Sequence, residues 1–152
     1  YRTWLEDRAS VLLRELSSMG YDIASAKFEA AVYDGTNDTS VKIEERDGRT
    51  AAVVAVGASV LFIEFGTGVT YPDNHPEAAQ NGIVRGAYGK GRGKQRTWGY
   101  YGDPGTNGVE KTSPKTGNTV VLTHGNPANM SMYDTVKELS DKLPALVKEV
   151  FR

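Results

Sequence analysis

The chain has 152 residues, of which 39% are hydrophobic and 24% charged, and its formal net charge is −1. This size and composition favour one soluble domain with its own core, and the charge balance argues against a protein whose main task is to coat nucleic acid. Cysteine is absent, which excludes disulfides, thiolate zinc sites and cysteine nucleophiles.

The sequence predicts no membrane partner. Its longest apolar run, at 53–65, is interrupted by Gly57 and Glu64 and is shorter than the roughly 20 residues that span a bilayer. We expect no secretory signal either, because charged side chains occupy the first turns. These are Arg2, Glu6, Asp7 and Arg8.

The N-terminal part of the chain predicts two helices. Thr3 and Glu6 stand three residues apart, as in a capping box that begins a helix. Apolar residues then recur at spacings of three and four, which is typical of one helix face. They are Leu5, Ala9, Leu12, Leu16 and Met19. Gly20 stands where a helix often ends, so we expect a second, shorter helix at 22–32.

A β-hairpin is predicted at 39–56. Apolar and charged residues alternate at 41–44, and Asp47 and Gly48 form a typical turn dipeptide. The returning strand, Ala51–Val56, is apolar at every position. Such a strand is expected to be covered on both faces, or covered on one face and met by a partner on the other. It is therefore a candidate interface.

The middle of the chain is rich in glycine, and we predict an inserted Gly-rich arm at about 82–117. Two strands are expected near 94–101 and 119–123, joined by a loop at 102–118. A glycine-rich excursion of this length is usually functional, or disordered until it binds. We therefore expect the arm to become ordered on a neighbouring molecule.

A C-terminal helix is predicted at 132–151 from its apolar periodicity. Pro144 lacks a donor and crowds the carbonyl of Ser140, so we expect a kink or a restart capped by Asp141. Together these elements predict an α+β fold in a single domain, 1–152. Its antiparallel β-sheet would combine the hairpin with the two later strands and pack against the N-terminal and C-terminal helices.

Candidates for catalysis or metal binding are few. Asp73, His75 and Glu77 are clustered and would serve a metal site or a small hydrolase, but the prolines beside them favour a turn-rich loop. His124 is predicted to lie in a loop before the last helix, and no Gly-x-Ser-x-Gly nucleophile motif is present. The glycines at 89–93 lack the spacing of a phosphate-binding loop. We therefore expect no cofactor and no enzyme activity.

Glu64 is an acidic residue inside an apolar segment. Burial of an unpaired carboxylate is costly, so we expect this side chain to meet an arginine, a lysine or backbone amides. A structural ion pair explains Glu64 without a catalytic role.

A basic and aromatic segment lies in and beside the arm. Its cations are Arg85, Lys90, Arg92, Lys94 and Arg96, and its interleaved aromatic side chains are Tyr88, Trp98, Tyr100 and Tyr101. Such a segment is able to hold phosphates and stack bases, or to dock on an acidic protein surface, where Tyr, Trp and Arg are favoured contacts. A solvated, flexible loop is the simplest interpretation of the segment, and contact with a protein comes next. The near-neutral net charge places nucleic-acid binding last.

A seven-residue motif carries a resemblance to a known family. Its residues are Phe62, Ile63, Glu64, Phe65, Gly66, Thr67 and Gly68. The motif resembles the Glu-Phe-Gly-Thr turn of the bacteriophage gene-product-ten-like minor tail components, which serve in the neck as tail-completion or head–tail joining proteins. The segment 126–130 stands where relatives carry a Pro-Ala-x-x-Phe/Met turn before a closing helix. The region 82–117 departs from the shorter relatives as an insertion.

The resemblance implies a structural protein of the virion, located in the neck or tail and assembled in the bacterial host cytoplasm. It implies a homo-oligomeric ring, hexameric as in the family, whose partners are neck or connector, tail terminator and tail tube proteins. DNA in the channel would be a further contact if the arm points inward. The alternative is a nucleic-acid-binding module that uses 85–101, with binding that weakens steeply as salt rises.

Overall fold

The fold was described from a computed structural model that covers residues 1–69, 71, 74–84 and 95–152. Helices and antiparallel strands follow one another in an α+β arrangement, which confirms the predicted class. The elements are α1 (Arg2–Glu29), β1 (Ser40–Glu45), β2 (Ala51–Val56), α2 (Val60–Phe65), a 3-10 turn (Ala79–Asn81), β3 (Trp98–Tyr100), β4 (Val109–Thr112), β5 (Thr119–Thr123) and α3 (Ser131–Val150).

The N-terminal segment is one helix and not two, so the predicted break at Gly20 is wrong. Gly20 lies inside α1 at a close approach of three elements. A β-carbon there would be 3.0 Å from Cδ1 of Leu139 in α3 and 3.1 Å from Cγ2 of Val53 in β2. The glycine is therefore explained by packing. The predicted capping box is also absent, because Tyr1 precedes the helix and Glu6 pairs with Arg2 at 3.2 Å.

The predicted hairpin is confirmed, with Ser40 opposite Val56 and Glu45 opposite Ala51. Both strands pack on α1. The side chain of Val53 points towards α1, where it lies next to Gly20. The side chains of Ala52 and Val54 therefore point to the opposite, outer face of the hairpin. On that outer face, Lys42 of β1 forms a 2.7 Å ion pair with its neighbour Glu44.

The later strands form a second sheet of their own, in the order β3-β5-β4. The prediction of one sheet is therefore corrected to two, and the predicted loop at 102–118 contains β4. Every side chain of β4 is exposed. The strand was not predicted because it lacks the alternation of apolar and polar residues that marks a half-buried strand. The predicted Gly-rich arm is thus partly sheet, and 85–94 lies outside the described residues.

The last helix runs from Ser131 to Val150 as one element, with Pro144 inside it. The predicted restart capped by Asp141 is not found. Packing along α1 holds the helix together although Pro144 cannot donate to the carbonyl of Ser140.

The core is small and is formed by residues from both helices and strands. Its fully buried side chains include Phe28, Ile63 and Val121. Within the described ranges, no helix has both the length and the apolar character needed to cross a membrane.

Candidate functional site

The two segments that carry the family resemblance lie side by side. Thr67 donates its N–H to the carbonyl of Asn126 at 2.8 Å, Asn129 donates to Ile63 at 2.9 Å, and Met130 donates to Glu64 at 3.2 Å. We call this unit, residues 63–68 and 126–130, the clasp. It connects α2 to the start of α3 across about 60 residues of sequence.

Gly66 permits the two backbones of the clasp to approach closely. Its φ of +78° is unfavourable for a residue with a side chain, and a β-carbon would lie 2.6 Å from the carbonyl oxygen of Asn126. Of the other motif residues, Ile63 and Gly68 are buried, while Phe62 and Phe65 are half-buried. The motif is thus largely turned inward.

Glu64 is bound by the N-terminus of α3. Its Oε2 accepts a hydrogen bond from the N–H of Met132 at 2.7 Å, and its Oε1 accepts one from Tyr133 at 3.0 Å. The carboxylate is buried and also stabilises the partial positive charge of this helix end. The prediction that Glu64 meets backbone amides is confirmed.

His75 completes the shell around Glu64. Its Nδ1 accepts the N–H of Glu77 at 3.1 Å, which places the ring proton on Nε2, where it is donated to Oε1 of Glu64 at 3.1 Å. The ring centre lies 4.4 Å from that of Phe65 and 5.4 Å from that of Tyr133. Both imidazole nitrogens are therefore used inside the fold.

The predicted cluster of Asp73, His75 and Glu77 is not assembled as a metal site among the described residues. Asp73 lies outside them, and Glu77 meets His75 through its backbone. No group of three or more histidine, aspartate or glutamate side chains is placed to hold a metal ion in the described part of the chain.

A second buried network joins the clasp to the end of α1. The side-chain hydroxyl of Thr67 accepts the N–H of Asn126 at 2.8 Å, and Oδ1 of Asn126 accepts the N–H of Asp34 at 2.8 Å. The hydroxyl of Thr123 donates to Oδ2 of Asp34. Burial raises the pKa of Asp34, and its Oδ1 has no partner among the described residues.

Asn129 ties the clasp to the segment that follows α1. Its Oδ1 accepts the N–H of Val32 at 3.2 Å, and its Nδ2 donates to the carbonyl of Val32 at 3.0 Å. This amide therefore pairs with a backbone unit as a neighbouring strand would. Sequence reasoning missed Asp34, Asn126 and Asn129, although asparagine and aspartate beside glycine or proline are a signal for side-chain-to-backbone bonding.

The basic and aromatic segment is divided by the structure. Arg85, Lys90, Arg92 and Lys94 lie outside the described residues. The ring of Trp98 packs on the motif, at 3.1 Å from the place a β-carbon of Gly68 would take. Arg96 is exposed.

Tyr100 and Tyr101 also differ in exposure: Tyr100 is half-buried, whereas Tyr101 is exposed. Tyr100 donates its hydroxyl to the carbonyl of Asp103 at 2.7 Å, and burial, with Asp34 nearby, raises its pKa to about 12. Tyr101 is 73% exposed. Tyr88 lies outside the described residues. Of the three described aromatic side chains of the segment, Tyr101 is therefore the one displayed to solvent, while Trp98 and Tyr100 pack within the fold.

Comparisons of this chain with protein-family models, with curated proteins and with solved structures found no match.

Proposed function

We propose that this chain is a structural subunit of a bacteriophage neck or tail, which forms a ring that joins or completes the tail at the head–tail interface. The observation that carries the proposal is the clasp. The two segments of the family resemblance, which are about 60 residues apart in sequence, bind each other through three backbone hydrogen bonds. The clasp is therefore a joint between α2 and the start of α3.

The chemistry of the clasp supports a structural role over a catalytic one. Glu64 accepts hydrogen bonds from two backbone amides and from His75, and the second nitrogen of His75 accepts a backbone N–H. A general base takes its proton from a substrate, whereas the donors to Glu64 all belong to the fold itself. The hydroxyl of Thr67 is likewise occupied by the amide of Asn126.

Exposed apolar side chains near the clasp supply surfaces for assembly. Leu61 of α2 is 57% exposed and Val136 of α3 is 60% exposed. Contiguous apolar surface of this kind often marks a protein–protein contact. In the proposed ring these surfaces would be covered by neighbouring subunits, or by the connector and tail tube proteins above and below.

Deletion of the gene from the parent phage or prophage tests the proposal. Electron microscopy of the lysate should show filled heads beside free tails, and a plasmid copy should restore joined particles. Overlong tails would indicate that the protein terminates the tail instead of joining it to the head. Normal infectious particles would contradict the proposal.

A variant of the clasp makes the same test specific. Thr67→Val removes the hydroxyl that holds Asn126 at nearly constant volume, and Thr36→Val is its exposed control. Plasmids that carry either variant would be compared for rescue of the deletion, after both proteins are shown to be folded. Rescue by the control alone supports the proposal. Equal rescue by both variants would show that the clasp is not needed for particle assembly.

A further inference from the structure

The helices extend beyond the sheet that covers them. α3 packs on α1 and α2 packs on α3, whereas β1 and β2 pack on α1. Within the described residues, no strand makes more than marginal contact with α2 or α3. Neighbouring helices are about 8–10 Å apart and neighbouring strands about 4.8 Å, so two strands do not cover this layer. Beside β2 the uncovered part forms a groove of about 550 Å³. Its floor includes Leu61, Met132 and Val136.

The edge of β2 that borders this groove has free backbone groups. Arg46 donates its N–H to the carbonyl of Thr50, and bonded and non-bonded pairs alternate along an antiparallel ladder. With Glu45 opposite Ala51, the N–H and C=O groups of Ala51, Val53 and Ala55 point away from β1. In the described part of the chain, none of them has a backbone partner outside the hairpin.

The two edges of the hairpin differ in their protection. β1 carries charged side chains, including the Lys42–Glu44 ion pair, and such charges discourage strand addition. β2 has no charged residue from Ala51 to Val56. An unpaired, uncharged edge beside an apolar floor is a site for an added strand.

The geometry limits what this added strand can be. If β2 of a second copy paired symmetrically with β2, the second copy would bring its own α1 to the place that α2 and α3 occupy. The added strand must therefore come from a part of a protein that has no helix layer beneath it. Of the free strand edges in the described residues, β1 lies on α1 and β3 is short and half-buried.

The remaining edge, β4, meets the requirement. All four of its side chains are exposed, and no helix makes more than marginal contact with its sheet within the described residues. Its charges also suit the groove. Successive side chains of a strand point to opposite faces, so when Lys111 of β4 lies on the outer face beside Val54, Glu110 faces the groove. The groove wall carries Lys137, which has no ion-pair partner among the described residues.

We infer that β4 of one copy adds to the free edge of β2 in the next copy. The two surfaces are different, so the contact is head-to-tail, and its repetition closes a ring or continues as a filament. The inference deepens the proposed ring and rests on it for its biological meaning. It identifies the partner of the apolar strand as a second copy of this chain.

Single cysteines provide the test, because the chain has none of its own. Val54→Cys lies on the outer face of β2, and Lys111→Cys lies on β4. The two proteins are mixed over a concentration series with a short bismaleimide cross-linker, which tolerates an unknown register because paired strands are only about 4.8 Å apart. A cross-linked Val54–Lys111 heterodimer is expected, and Arg14→Cys in place of Val54→Cys should give none.

Proline variants show whether the backbone edge makes the contact. Ala55→Pro removes an N–H that points into the groove, and its matched control, Val41→Pro, removes one from the outer edge of β1, directly across the hairpin. Circular dichroism confirms that each variant is folded. Loss of the heterodimer with Ala55→Pro alone supports the inference.

Three results would overturn it: no heterodimer at the highest concentration, a Val54–Val54 homodimer in its place, or equal cross-linking with the Arg14 control. The outcome is separable from that of the proposed function. Normal particles after gene deletion together with a cross-linked heterodimer would reject the phage role and retain the contact. Unjoined heads after gene deletion, without a cross-linked heterodimer, would support the phage role and reject the contact.

Discussion

His75 donates its Nε2–H to Oε1 of Glu64 at 3.1 Å, and this bond links a central loop to the first turn of the C-terminal helix. Both residues are buried, at 4% exposure for His75 and 6% for Glu64. A buried carboxylate is stable when each lone pair meets a donor. His75 is thus a structural partner of the clasp, and removal of its bond to Glu64 should loosen α3.

A double-mutant cycle measures this coupling. We expect His75→Phe and Glu64→Gln each to lower the free energy of unfolding by about 1–3 kcal/mol, because each leaves buried groups without partners. The double variant should lose less than the sum, with a coupling of about 0.5–3 kcal/mol. Urea unfolding gives these values, with Glu77→Gln as an exposed control. Additive losses would show that the two side chains act independently.

Gly66→Ala should damage the clasp through contact as well as through backbone strain. The new β-carbon would lie 2.6 Å from the carbonyl of Asn126. Gly117 is the matched control, because its φ is also positive, at +70°, but nothing lies within 4 Å of the added carbon. Gly117→Ala should cost about 1–2 kcal/mol from the left-handed conformation alone, and Gly66→Ala clearly more. Equal losses in urea unfolding would contradict the close approach.

Asp38 and Asp34 should give opposite pH dependences of stability. The hydroxyl of Ser59 and the amides of Ala58 and Ser59 lower the pKa of Asp38 to about 2. An acid with a lowered folded pKa stabilises the fold above its unfolded value near 3.8, and this contribution is lost as the pH falls towards 2. Asp38→Asn should therefore destabilise the protein at pH 7 and have little effect at pH 2.

Asp34 has the reverse sign, because burial raises its pKa in the fold. The folded state then holds its proton longer than the unfolded state, so stability falls as the pH rises from about 4 through the raised folded value. Asp34→Asn removes this titration. The stability of Asp34→Asn relative to the wild type should rise between pH 3 and pH 7, measured by urea unfolding with Asp103→Asn as control. A constant difference would contradict the assignment.

Substitution of Trp98 should affect folding, whereas substitution of Tyr101 should affect only the binding of a partner. The ring of Trp98 packs on Gly68, so Trp98→Ala should destabilise the protein by about 1–3 kcal/mol. Tyr101→Ala should leave stability within about 0.5 kcal/mol, because the side chain is 73% exposed. If the aromatic segment contacts a partner, Tyr101→Ala should still impair rescue of the gene deletion. Unfolding curves and particle counts distinguish the two effects.

Local patterns explain which parts of the fold were predictable. The hairpin was predicted correctly because alternation and the turn at Asp47 lie within a few residues of each other. The break at Gly20 was predicted wrongly because a glycine that ends a helix and one that permits close packing look alike in sequence. The strand β4 was missed because its four exposed side chains carry no periodic signal.

The candidate site was predictable in kind but not in its contacts. A carboxylate in an apolar segment has to find donors, so the need of Glu64 for backbone amides follows from its surroundings in sequence. His75 was assigned to a turn-rich loop, and its pairing with Glu64 was not foreseen. The two are 11 residues apart, and the amides that bind Glu64 come from 68 and 69 residues away.

By itself, the sequence determined the α+β class of the fold, its hairpin, its C-terminal helix and the absence of cysteine chemistry. Only the tertiary structure decided that the motif binds the 126–130 segment, that Trp98 packs on Gly68 while Tyr101 faces solvent, and that β2 keeps a free edge beside the groove. The physical reason is the distance along the chain over which each kind of interaction acts. Propensity and periodicity act over a few neighbouring residues, whereas contacts between distant segments depend on which surfaces the completed fold brings together.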